Sequence, residues 1–131
     1  MDASRLDGIR LFSGLSKKEL GQLAQFMDEL TVHEGAELAS EGRFAHEFFV
    51  IEDGVADVLK DGERIAELGP GDFFGEIGLL ETDRRTATVR ATSEMELIVM
   101  FARDFKKMER DQPAVADRIR SAIRARLDAQ S

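Results

Sequence analysis

The spacing of apolar residues along this chain changes twice. Leu11, Phe12, Leu15, Leu20, Leu23, Ala24 and Phe26 recur at helical intervals, and Ser16 with Glu19 three positions on forms a capping box ahead of Leu20. That pattern predicts a helix from residue 17 to about residue 29. From Leu30 to Phe101 the apolar positions fall instead in short runs: Thr31-Val32-His33, Glu37 to Ala39, Glu47 to Ile51, Val55 to Leu59, Arg64 to Leu68, Thr86 to Ala91 and Glu96 to Phe101. Turn residues separate them at Gly35, Gly42, Asp53-Gly54, Asp61-Gly62 and Gly69-Pro70-Gly71. Short strands broken so regularly predict a sandwich or barrel, and Asp61-Gly62 predicts a two-residue hairpin. After Arg103 the helical period returns. Phe105 and Met108 open a short helix, Pro113 stands where a first turn tolerates it, and Val115, Ile119, Ile123 and Leu127 form an i, i+4 stripe. The Phe48-Phe49 and Phe73-Phe74 pairs, with Met27, Met95, Met100 and Met108, are assigned to the core.

Composition narrows what this framework can do. With 131 residues, 43% of them apolar, and neither an internal repeat nor a long linker, the expectation is one domain over 1–131. It divides into a helical lead-in (1–30), a β-roll (31–101) and C-terminal helices (102–129). The absence of cysteine excludes a disulfide framework, a thiolate metal site and a cysteine nucleophile. His33 and His46 stand in separate turn-flanked segments, so no metal site is expected and a metal-dependent β-barrel catalyst ranks last. No basic leader or run of ~20 apolar residues is present, which points to a cytoplasmic protein without membrane insertion.

The net charge of −8 opposes nucleic acid and anionic lipid surfaces. It is unevenly distributed. Residues 1–102 carry 10 basic and 21 acidic side chains, whereas residues 103–131 carry 8 basic and 5 acidic ones. An acidic body is thus followed by a basic helix, whose Arg118, Arg120, Arg124 and Arg126 are expected to dock on the chain's own acidic roll. An acidic protein partner or a second copy is the second reading, and nucleic acid, which the net charge opposes, the third.

One segment differs in kind: Phe74-Gly75-Glu76-Ile77-Gly78-Leu79-Leu80, followed by Arg84-Arg85-Thr86-Ala87-Thr88-Val89-Arg90-Ala91. Within a β-rich body, Gly75 to Leu80 reads as a single helical turn whose free N–H groups favour an anion. Gly75 and Gly78 permit close approach to that backbone. Arg85 offers a planar fork for two phosphate oxygens, and Thr86 adds a hydroxyl donor. Glu76, an acceptor when ionised, suits a ribose 2′-hydroxyl. Taken alone, Glu76 and Arg85 also read as a structural ion pair, and Arg84 as a solvated neighbour.

Residues 74–91 resemble the phosphate-binding cassette of the cyclic nucleotide-binding domain family at nearly every position. The pattern is Phe-Gly-Glu, an aliphatic, a small residue, two apolar residues, a variable stretch, then Arg, two small residues, Thr or Ser, an aliphatic, any residue and Ala. Leu11 to Ser16 and Gly69-Pro70-Gly71-Asp72 resemble the family's flanking punctuation. The resemblance implies a mainly β fold: an eight-stranded antiparallel, jelly-roll-like β-roll with an N-terminal helix and C-terminal helices. It implies cAMP or cGMP as ligand, with no cofactor. Arg85 then meets the cyclic phosphate, Glu76 the ribose hydroxyl, and Gly75, Ile77 and Gly78 the ligand through backbone groups or close contact. Thr86 accommodates cAMP and cGMP alike. The base cover late in the last helix falls on Arg126, with Ile123 and Leu127 beside it. A regulatory module without enzymatic activity follows, its output being movement of the C-terminal helix. A ligand-free roll used as a protein-interaction scaffold is the alternative.

Overall fold

A computed structural model describes residues 1–80 and 84–130, apart from the side chains of residues 127, 129 and 130. Two short 3-10 turns, Ala3–Leu6 and Arg10–Phe12, lead into helix α1 (Lys17–Ala24). The Ser16 hydroxyl accepts from the Glu19 N–H, and the Glu19 carboxylate accepts from the Ser16 N–H, so the capping box forms as expected. The helix stops five residues early. Phe26 continues its spacing, but Asp28 to Val32 are recruited as strand β1, paired antiparallel with β8 (Met95–Phe101) from Asp28↔Val99 to Val32↔Met95. Long-range pairing overrides local periodicity there. The first strand consequently begins at Asp28 rather than Thr31.

The remaining strands are β2 (Glu37–Ala39), β3 (Glu47–Asp53), β4 (Ala56–Lys60), β5 (Glu63–Leu68), β6 (Phe73–Phe74) and β7 (Thr88–Ala91). Among the described residues they form two four-stranded antiparallel sheets, ordered β1-β8-β3-β6 and β2-β7-β4-β5. The eight-stranded roll implied by the resemblance is therefore present. Its additional strand is β6, whose two residues are too few to show a period. β4 and β5 are joined by Asp61-Gly62, with φ of 52° and 81° and Lys60 opposite Glu63, the double positive φ of a type I′ hairpin.

Two apolar clusters explain the composition of the strands. One fills the roll between the sheets, with Phe49, Ile51, Ala56, Val89, Ala91, Met95, Leu97 and Val99. The other lies on the outer face of β1-β8-β3-β6, where Phe48, Val50, Ile98 and Met100 meet the helices through Leu23, Phe105, Met108, Ile119 and Ile123. Because successive strand residues point to opposite faces, Phe48 to Ile51 and Leu97 to Met100 are buried on both sides and read as unbroken apolar runs. The other sheet has an open face, and β5 is almost wholly exposed.

β8 passes directly into α3 (Ala102–Asp111), and Gln112, at φ −137° and ψ 64°, separates α3 from α4 (Pro113–Gln130). Helix α4 packs on α3, α1 and the Arg10–Phe12 turn. This placement corrects the expected docking of the basic helix. Arg118 Nε lies 2.8 Å from Glu19 Oε2 of α1, and Arg120 pairs with Glu109 of α3 and with Asp117. Among the described residues, the ion pair of α4 that reaches the roll is that of Arg126 with Glu76. No helix among the described residues is long and apolar enough to cross a membrane.

Candidate functional site

The backbone leaves β6 at Phe74 and turns sharply at Gly75, whose φ is +83°. Positive φ favours glycine, and the surroundings enforce it. A Cβ on residue 75 would lie 2.5 Å from the Glu47 carbonyl oxygen and 2.6 Å from Arg85 Nη1. The turn opens helix α2 (Ile77–Leu80), the single turn expected from the sequence. Its first hydrogen bonds run from the Gly78 N–H to the Gly75 carbonyl (3.0 Å) and from the Leu79 N–H to the Glu76 carbonyl (3.1 Å). The Gly78 N–H is thus already engaged. What residue 78 supplies is closeness, since a Cβ there would stand 2.9 Å from that of Ala45.

Arg85 is threaded beneath this turn. Its side chain is only 10% exposed, and its Nη2 donates to the Glu47 carbonyl at 2.6 Å while lying 3.5 Å from Glu47 Oε2. Burial lowers the guanidinium pKa from its ordinary value, and the neighbouring Glu47 carboxylate works in the opposite direction. The group remains charged. Arg85 is also fixed through its backbone: its N–H donates to the Arg43 carbonyl at 2.6 Å, and its carbonyl accepts from Gly42 at 2.9 Å. Arg84 turns outward, donating to the Gly42 carbonyl at 2.6 Å and stacking 4.5 Å over the Phe44 ring.

Glu76 does not pair with Arg85. Its side chain is 11% exposed, and Oε1 lies 3.7 Å from Nη1 of Arg126, which reaches across from α4 with its guanidinium 4.2 Å over the Phe73 ring. Gly75, Glu76, Ile77, Gly78, Arg85, Thr86 and Arg126 therefore line one cavity of about 360 Å³, within the range of small-ligand sites. Its apolar wall comes from Val58, Leu68, Phe74 and Val89. A buried cation at one end, a buried carboxylate near it and an apolar wall suit an anionic ligand that also carries a hydroxyl and a flat apolar portion.

Of the two companions expected for Arg126, Ile123 does not join it here. Ile123 is fully buried in the helix-side cluster and does not line the cavity. Ile123 shares its face with Val115 and Ile119, whereas Arg126, three residues on, is turned from it by about 60° and stands about 4.5 Å farther along the axis, which brings it over Phe73 and Glu76. Ile123→Ala should then lower stability by about 2 to 5 kcal/mol with little change in ligand affinity, as read by denaturant unfolding and titration of the folded protein. The side chain of Leu127 lies outside the described residues. Glu47 was not singled out by the sequence. It stands 38 positions before Arg85, and only the start of β3 carries it there.

Residues 29–112 match the family model of the cyclic nucleotide-binding domain. A cyclic nucleotide-gated potassium channel of Rhizobium etli is 32% identical over 112 residues, covering 86% of this chain and 31% of the channel. A cAMP-dependent protein kinase regulatory subunit of Schizosaccharomyces pombe is 29% identical over 125 residues, covering 95% of this chain and 30% of the subunit. The chain thus spans about a third of the length of these relatives. Among solved structures, the N-terminal domain of a transcriptional regulator from Streptomyces coelicolor superposes with a TM-score of 0.82 at 26% identity, covering 100% of this chain and 96% of that one. The match to the family model extends over more than half of the chain, and it contains the turn at Gly75, the buried Glu76 and the threaded Arg85: the protein belongs to the cyclic nucleotide-binding domain family.

Proposed function

We propose that this chain binds cAMP or cGMP in the cavity beneath α2 and serves as a regulatory module whose output is carried by α4. The observation that carries this reading is Arg85, a nearly buried guanidinium held against the Gly75 turn and bordering a ligand-sized cavity. A buried cation is costly unless its surroundings compensate it, and a phosphate bound between Arg85 and the backbone of the turn provides that compensation. Glu76 accepts from the ribose 2′-hydroxyl, which favours ribose over deoxyribose. Thr86 borders the same cavity and accommodates either purine.

Arg126 supports a role for α4. It is the point at which that helix touches both an acidic cavity residue and an aromatic one, and we assign it as the base cover. A ligand moves α4 only to the extent that it binds one position of the helix more tightly than another. No bond-making step is assigned to the site. In thermal unfolding, a nucleotide present at about 100 times its Kd should stabilise the fold by about 2.7 kcal/mol. The corresponding rise in Tm is on the order of 10 °C. An unchanged Tm with either nucleotide at millimolar concentration would overturn the reading.

A further inference from the structure

The charge surrounding Arg85 is more finely balanced than a phosphate site requires. Among the described residues two carboxylates face it: Glu47, with Oε2 3.5 Å from Nη2, and Glu76, whose charge also acts on it. Glu76 is occupied by Arg126, leaving Glu47, among the described residues, as the acidic side chain paired with the buried guanidinium. Holding Arg85 in place does not need that charge. The strong bond from Nη2, at 2.6 Å, goes to the Glu47 main-chain carbonyl, which any residue at position 47 would supply. The carboxylate sits farther away, 3.5 Å from Nη2 and 32% exposed, and adds its charge to that main-chain anchor.

We propose that Glu47 is a specificity-determining residue: its carboxylate offsets part of the charge of Arg85, so that the site accepts a phosphodiester bearing one negative charge and discriminates against a phosphate monoester. A monoester carries about −1.5 to −2 at neutral pH, so it experiences the Glu47 field more strongly than a cyclic phosphate does. This inference rests on the reading of the cavity as a cyclic nucleotide site and adds a role for a residue outside the cassette.

The experiment is titration calorimetry of the 131-residue chain and its Glu47→Gln variant with cAMP and with 5′-AMP. The parent should prefer cAMP. In E47Q, which keeps the carbonyl that anchors Arg85, both ligands should bind more tightly and the cAMP preference should shrink about tenfold, because the monoester gains more from losing the carboxylate. Glu47→Asp, which retains the charge, should stay near the parent preference. Were Glu47 simply a prop for Arg85, E47Q would weaken both ligands together and leave their ratio unchanged, and that outcome overturns the proposal. A parent chain that binds 5′-AMP as tightly as cAMP overturns it without reference to any variant. A parent that binds no cyclic nucleotide overturns the underlying reading, and this proposal with it.

Discussion

Replacing Arg85 by alanine is expected to weaken cyclic nucleotide binding by about 100-fold or more, roughly 3 kcal/mol, while the chain remains folded. The loss follows from the proposed role of the fork: a charge-assisted bond to phosphate is among the stronger single interactions available to a site, and the group proposed to make it is already sheltered from water. The fold should survive because the side chain packs at the edge of the roll, against Gly75 and Glu47, and belongs to neither apolar cluster. The main-chain bonds of residue 85 to Gly42 and Arg43 persist in the variant. Arg85→Lys makes the test sharper. It keeps the charge but not the planar pair of donors, so it should recover only part of the affinity. Titration with the favoured nucleotide, alongside unfolding without ligand, separates loss of binding from loss of structure.

Gly75→Ala is the second substitution with a large expected effect, and it acts on both quantities at once. An alanine at φ +83° is strained whatever space surrounds it, and its methyl would be driven into the Glu47 carbonyl and the Arg85 guanidinium. Together the strain and the overpacking should cost about 2 to 4 kcal/mol of stability. Relief requires moving either the start of β3 or the arginine. Since β3 is fixed by its pairing with β8 from Glu47↔Phe101 onward, the arginine should yield. Affinity measured on the folded fraction should therefore fall as well. A Gly75→Ala chain with parental stability and affinity would mean that the turn, Glu47 and Arg85 are not packed as described.

The parts of this molecule that were legible in its sequence are those specified over a few neighbouring residues. Ser16 and Glu19 specify a helix start through two local hydrogen bonds, and Asp61-Gly62 specifies a hairpin because few residue pairs tolerate two positive φ angles in succession. The helical turn after Gly75 and the positions of Glu76 and Arg85 were legible for the same reason, as one contiguous pattern. What the pattern could not convey was set across the fold. The end of α1 depends on pairing between β1 and β8, nearly seventy residues apart in sequence. The partner of Glu76 proved to be Arg126 rather than Arg85, fifty residues away and brought over by α4. Likewise, the basic charge of the last helix is directed to α1 and α3 through Arg118 and Arg120 and to the roll through Arg126, a distinction that depends on how helices stack and not on how many arginines they carry.

The overall acidity of the chain has a similarly limited meaning. A net charge of −8 acts at long range on extended polyanions and is screened within about 10 Å at moderate ionic strength. It has little hold on a single phosphate inside a cavity, where Arg85, Glu47, Glu76 and Arg126 set the local potential.

Titration calorimetry of the parent chain with cAMP and with cGMP tests the central claim most directly. Saturable binding of at least one of them at one site per chain, lost in Arg85→Ala, is the predicted result. The absence of binding by both at millimolar concentration, in a chain shown to be folded, would contradict the account.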